Sequence, residues 1–154
     1  MTTARDFFDR ARAASEDAER CRIQLKSLET RMHSIGGQGV GQRVRSSSDP
    51  DKMGRRVGAY VDREARLNRR MEHDYDVIDR ATVVLYGDDE RAGLDGVMSP
   101  IWADVLWWRY LDGATWPKVA KAVNLSVRPC QIIRNRALAW IDEVRFMSAV
   151  IDAE

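Results

Sequence analysis

The sequence predicts an all-α fold, a long antiparallel helical hairpin followed by a C-terminal trihelical helix-turn-helix domain. Three observations carry that expectation. Apolar residues near the N-terminus repeat every three or four positions without a break. A second long amphipathic stretch follows a single Gly- and Ser-rich segment. Near the C-terminus two short helical patterns are separated by only a few residues. No run alternates apolar and polar residues, so no strand is predicted.

Phe7, Ala11, Ala14, Ala18, Cys21, Leu25, Leu28 and Met32 form the first seam. Their steps alternate between four and three, which is a heptad repeat. Gly and Pro are absent up to Ile35. A helix over residues 4–33 is expected, roughly 45 Å long at 1.5 Å per residue. The small residues Ala11, Ala14 and Ala18 leave room for a partner helix to approach closely.

Residues 34–49 read as a flexible loop, because glycines and serines replace the apolar repeat. Ser48 or Asp49 can cap the next helix, with Pro50 in its first turn and Asp51 complementing its dipole. This helix is expected over residues 50–86, with Val57, Tyr60, Val61, Leu67, Met71, Tyr75, Ile78, Ala81 and Leu85 as its apolar positions. Glu64 and Asp74 interrupt that seam. Residues 1–86 therefore read as a coiled-coil-like hairpin whose seam is either internal or shared with a second copy.

Residues 87–98 read as a linker into a domain over residues 99–154. Ser99 is a good N-cap, with Pro100 at the first helical position. Helices are expected over residues 100–111, 115–123 and 127–149.

Composition narrows the function classes. The chain has 154 residues, 25 Lys and Arg against 24 Asp and Glu, and a net charge of +1. It is not a polycation, so nucleic-acid binding must rest on local charge. Cys21 and Cys130 are far apart, with no CxxC or His/Cys grouping, so neither a disulfide framework nor a metal site is expected. His73 lies between acids in "EHDYD", which reads as a solvated helix face. "GGQGVGQ" lacks the Gly-Lys-Ser/Thr of a phosphate loop. No nucleophile-base arrangement is readable, so an enzyme is not expected, and no cofactor is. With no signal-like N-terminus and no apolar run of about 20 residues, a cytoplasmic protein is expected.

The last two helices carry the candidate site. Thr115 caps the first, whose apolar face is Val119, Ala120 and Val123. Asn124 suits the left-handed conformation that ends a helix. Leu125 is expected to plug the turn and Ser126 to cap the next helix. On a wheel of about 100° per residue, Cys130, Ile133, Ala137, Trp140, Ile141 and Val144 share one side. Arg128, Gln131, Ile132 and Asn135 lie opposite, and Arg134 and Arg136 fall on the flanks. Arg pairs with guanine, Gln or Asn with adenine, and Ile packs on a thymine methyl, so these four are the expected base readers. Lys118, Lys121, Arg134 and Arg136 are the expected phosphate contacts. Residues 114–141 contain five basic residues and no Asp or Glu, which suits a DNA backbone. Pro129 leaves the start of this helix open. Either Ser126 caps it and Pro129 is its third residue, or it starts at Pro129 and Arg128 sits on the turn.

"YLDGATWPKVA" followed by "NLSVRPCQIIRNRALAWI" resembles the fourth region of bacterial sigma factors. It is more similar still to phage late-transcription regulators of the ArpU/RinA type, which the polar loop before "DPDK" also resembles. That resemblance implies double-stranded DNA as partner and transcriptional control of phage or prophage genes in a bacterial host cell. Two other readings remain: the DNA-recognition (small) subunit of a phage packaging terminase, and a coiled-coil scaffold with a non-binding helix-turn-helix. Trp102, Trp107, Trp108, Trp116 and Trp140 all fall in the C-terminal region. Trp107 and Trp108 point about 100° apart, so one is expected to face the hairpin or another protein such as RNA polymerase.

Overall fold

A computed structural model describes residues 1–36 and 50–153. Among these residues the fold is all-α. Two long helices, α1 (Ala4–Gly36) and α2 (Pro50–Tyr86), precede the short α3 (Leu94–Val97) and α4 (Pro100–Leu106). Helix α4 runs on through a wider π-helical turn, Trp107–Leu111. Helices α5 (Trp116–Val123), α6 (Val127–Glu143) and α7 (Arg145–Asp152) complete the chain. Most of the expected loop, with the candidate α2 caps Ser48 and Asp49, lies outside the described residues.

The chain divides into two compact units, and the division does not fall at the expected linker. One unit comprises Met1–Asp17 and Asp74–Glu154, the other Ala18–His73. The first half of α1 thus belongs with the C-terminal helices. The reason lies in its side chains. Ala4, Phe7, Phe8 and Ala11 are buried in one cluster with Ala81, Val84 and Leu85 of α2, Leu94 of α3, Leu106 and Tyr110, Ala137, Leu138 and Ile141 of α6, and Met147 and Ile151 of α7. Phe8 meets Tyr110 with ring centroids 5.5 Å apart.

Polar bonds fix the same assembly. A helix N-terminus leaves backbone N–H groups without internal partners. At the start of α1, the N–H of Ala4 donates to Asp142 Oδ1 at 2.6 Å, and just before the helix that of Thr2 donates to Asp152 Oδ1 at 2.9 Å. Thr3 accepts from the N–H of Asp6 and donates back to its carboxylate. Arg80 closes the other side. It donates to the carbonyls of Val150 and Ile151 at the end of α7, and its guanidinium lies 5.3 Å from the centre of the Phe7 ring.

The expected linker is a tight connection anchored by the buried Gly93 and Leu94, with Asp88–Ala92 and Gly96–Met98 exposed. Leu94 is wholly buried, and Gly87 adopts φ +80°. The last expected helix is broken rather than continuous to residue 149. Val144 turns extended (φ −91°, ψ 111°), and α7 folds back so that Met147 and Ile151 enter the core.

In the second unit the heptad seam of α1 continues through Cys21 and Leu28, both buried, and Leu67 of α2 is buried too. The seam assigned to α2 needs correcting. Val57 is 44% and Val61 51% exposed, and Tyr75 is exposed as well. Asp74, in the other unit, is buried at a position one heptad before Ala81. The seam therefore runs through the carboxylate that looked like an interruption, and "EHDYD" is not a wholly solvated face.

Candidate nucleic-acid interface

Helices α5 and α6 are joined by a three-residue turn, and local chemistry explains its shape. Asn124 ends α5 at φ 58°, ψ 44°, a left-handed conformation that Asn tolerates better than most residues. Its neighbour's N–H, Leu125, reaches back to the Ala120 carbonyl at 3.0 Å. That long-range bond is the signature of a Schellman close. Val119 and Ala120 of α5 and Cys130 of α6 are buried together with Val105 of α4 and Ala114. Burial pushes the Cys130 thiol up from its ordinary pKa, away from nucleophilic chemistry.

Two capping expectations fail in detail. Ser126 and Thr115 hold the N-cap backbone position, but neither side chain makes a capping bond. For Ser126 one reason is plain. Helix α6 starts at Val127, so Pro129 is its third residue and has no N–H to donate. Ser99, by contrast, accepts from the N–H of Ile101 at 3.3 Å. The start at Val127 resolves the Pro129 alternatives, since Arg128 lies in the first helical turn. Proline is tolerated there, because the carbonyl four residues back belongs to the turn. Leu125 does not plug the turn. It is 37% exposed.

The buried face of α6 comprises Cys130, Ala137, Leu138 and Ile141. Arg128, Ile132 and Asn135 are exposed, and Gln131 is half-buried beside them. Ile132 is an isoleucine with 42% of its surface in water. Together with Leu125 it puts apolar contact area among polar groups.

The expected phosphate contacts divide in two. Lys121 and Arg136 are exposed and make no ion pair with another described residue. Lys118 donates to Asp112 at 3.2 Å and lies 5.8 Å from the Trp108 ring centre. Arg134 is half-buried, 4.9 Å from the Trp116 ring centre, and donates to Asn135 Oδ1 at 3.1 Å. Arg109 lies 4.6 Å from the same ring and donates to the Ala114 carbonyl. Trp116 thus ties the end of α4, the start of α5 and the middle of α6 together. Sequence reading missed this stack, because its members are far apart in the chain. Desolvation, helped by the nearby Arg12, lowers the Arg109 pKa from its ordinary value.

The five tryptophans are all half-buried against their own chain. Trp102, Trp107 and Trp140 pack on the main cluster, and Trp108 and Trp116 on the smaller one. The adjacent pair Trp107 and Trp108 therefore serves both cores, with rings edge to face at 5.0 Å. No helix among the described residues is long and apolar enough to cross a membrane. Comparison with protein-family models, curated proteins and solved structures finds no match.

Proposed function

We propose that this chain is a sequence-specific DNA-binding transcription regulator of phage or prophage type, acting through α6 in the manner of a sigma-region-four helix-turn-helix. One observation carries the reading. The exposed side of the first turns of α6 presents Arg128, Ile132 and Asn135, with Gln131 beside them, on a helix whose other side is buried. An acid-free stretch supplies the charge. In this reading Arg128, Gln131, Ile132 and Asn135 meet base edges, and Lys121 and Arg136 anchor phosphates first. Lys118 joins them by exchanging Asp112 for a phosphate, because an exposed ion pair is worth only about 0–1 kcal/mol. Arg134 acts mainly by holding Trp116. Its bond occupies one lone pair of Asn135 Oδ1, and a carbonyl oxygen has a second for an adenine amino group.

Arg128→Ala is expected to lose about 1–3 kcal/mol at the cognate site and to relax preference at one base pair. Lys121→Ala is expected to weaken binding on all sequences alike and to lower the salt slope by about one unit. Titrations on cognate and random duplexes check both. Equal losses for the two variants on the two duplexes would remove the division of roles. Footprinting on the surrounding genome tests the reading as a whole. A promoter footprint supports regulation, and a packaging-site footprint moves it to the terminase subunit. The absence of any salt-dependent binding leaves the scaffold.

The proposed partners beyond DNA are a second copy of the chain and RNA polymerase. The α1 seam is used within one chain, since Phe7, Ala11, Ala14, Ala18, Cys21 and Leu28 are all buried. A homodimer through the long helices would instead use the exposed stripe Met53, Val57 and Val61 of α2. Light scattering is expected to give a monomer or dimer, and a ring of many subunits would favour packaging.

A further inference from the structure

The unit formed by Ala18–His73 has a charge character that the whole-chain balance hides. That segment holds thirteen Lys and Arg against seven Asp and Glu, a net +6, so the remainder of the chain is −5. Within it, an open groove of about 790 Å³ separates residues 24–31 of α1 from residues 56–66 of α2. Arg31, Arg56, Arg63 and Arg66 line it, with Asp62 as the one carboxylate. All four arginines are exposed. None makes an ion pair with another described residue, whereas Arg12 and Arg22 are paired with Glu16 and Glu19.

We propose that this groove binds the phosphodiester backbone of nucleic acid, as a contact surface distinct from the α5–α6 face and not dependent on it. Like charges gathered in a concave surface repel one another and focus a positive potential outward. An anion relieves both effects. Guanidinium groups suit phosphate oxygens because their planar donors pair with two at once. The arginines form a row rather than a point. Arg56, Arg63 and Arg66 spread over ten residue steps of α2, about 15 Å along the axis. A single phosphate would be met by convergent donors, whereas a row matches a string of phosphates. Of the larger apolar lining residues, Leu28 is buried and Tyr60 half-buried. Of the exposed apolar residues of α2, Val57 and Val61 lie about 100° or more from these arginines around the wheel, and Met53 about 60° from Arg56. The basic face therefore lacks the continuous band of insertion residues that an anionic membrane would need.

The test is a salt titration of the full chain on a labelled 30-base-pair duplex of arbitrary sequence. A fourfold variant, R31Q/R56Q/R63Q/R66Q, is compared with the fourfold Lys variant at the same positions and with R128A/R136A. Each neutralised phosphate contributes about 0.9 to the slope of log affinity against log salt. The Gln variant is expected to lose about two to three units of slope and at least about tenfold in affinity at low salt. The Lys variant, which keeps the charges, is expected to retain most of the slope. An unchanged slope in the Gln variant overturns the groove, and a loss confined to R128A/R136A does so while leaving the α6 reading standing. A loss confined to the Gln variant supports the groove and removes the phosphate role given to Arg136. Loss of binding to phosphatidylserine vesicles with duplex binding intact also overturns it.

Discussion

A fragment beginning at Ser99, the expected start of a free-standing DNA-binding domain, is expected not to fold. Its circular dichroism should show low helicity and no cooperative melt, and it should lose the salt-dependent DNA binding of the full chain. The cause is the composition of the core. Such a fragment keeps Leu106, Tyr110, Ala137, Leu138, Ile141, Met147 and Ile151 but loses Ala4, Phe7, Phe8, Ala11, Ala81, Val84, Leu85 and Leu94, which are buried against them. It also loses the two backbone donors of α1 that Asp142 and Asp152 accept, and the Arg80 cap on α7. A small helical unit with half its core removed has little margin, since whole domains are stable by only about 5–15 kcal/mol. In the full chain, Phe8→Ala isolates the effect at one position. Phe8 is wholly buried and touches both Phe7 and Tyr110. Its truncation is expected to cost about 3–5 kcal/mol in urea unfolding. A cost under about 1 kcal/mol, or a sharp melt from the fragment, would mean that the C-terminal helices form their own core.

What the sequence disclosed, and what it hid, follows from the range of the interactions. The α1 seam was legible because a heptad needs only local spacing, and six of its eight residues are buried, with Leu25 and Met32 half-buried. The turn between α5 and α6 was legible for the same reason, since Asn124 announces a left-handed residue by its chemistry. The exposed face of α6 followed from the wheel. The α2 seam was misread at Val57, Val61 and Asp74, because burial there depends on what faces the helix and not on polarity alone. Thr115 and Ser126 were placed at their cap positions, but whether a hydroxyl finds a donor depends on geometry that a residue pattern does not carry. The Trp116 stack joins Arg109 to Arg134, which no period connects. For that reason Arg134 read as a free flanking cation. The place of Phe7 and Phe8 in the core of helices more than a hundred residues away was hidden in the same way.

Gly93→Ala is expected to be among the most damaging single-methyl additions available to this chain, costing about 3 kcal/mol or more, the upper end of the usual overpacking range. Nothing in "GDDERAGLDG" announces it, because glycines in such a stretch read as flexibility. The structure assigns them the opposite role. A Cβ on Gly93 would strike the backbone nitrogen of Gly87, and would lie 2.6 Å from that of Tyr86 and 2.7 Å from the carbonyl carbon of Leu85. These are main-chain atoms at the end of α2, so no side chain can rotate aside. Gly87 itself has φ +80°, and its own added Cβ would meet the Arg91 carbonyl. The two glycines let the chain leave α2 and re-enter the core at Leu94 within a few residues, beside the bond from Tyr86 to Asp104 at 2.9 Å. Gly58→Ala supplies the opposite sign. Gly58 lies within α2 with nothing inside 4 Å of an added Cβ. Alanine there removes backbone freedom from the unfolded chain and restores helix propensity, so a gain of about 0.4–1 kcal/mol is expected. Thermal melts of the two variants should move in opposite directions. A Gly93→Ala chain that melts with the parent would show that the α2–α3 connection yields, and that residues 87–98 behave as the linker their composition suggested.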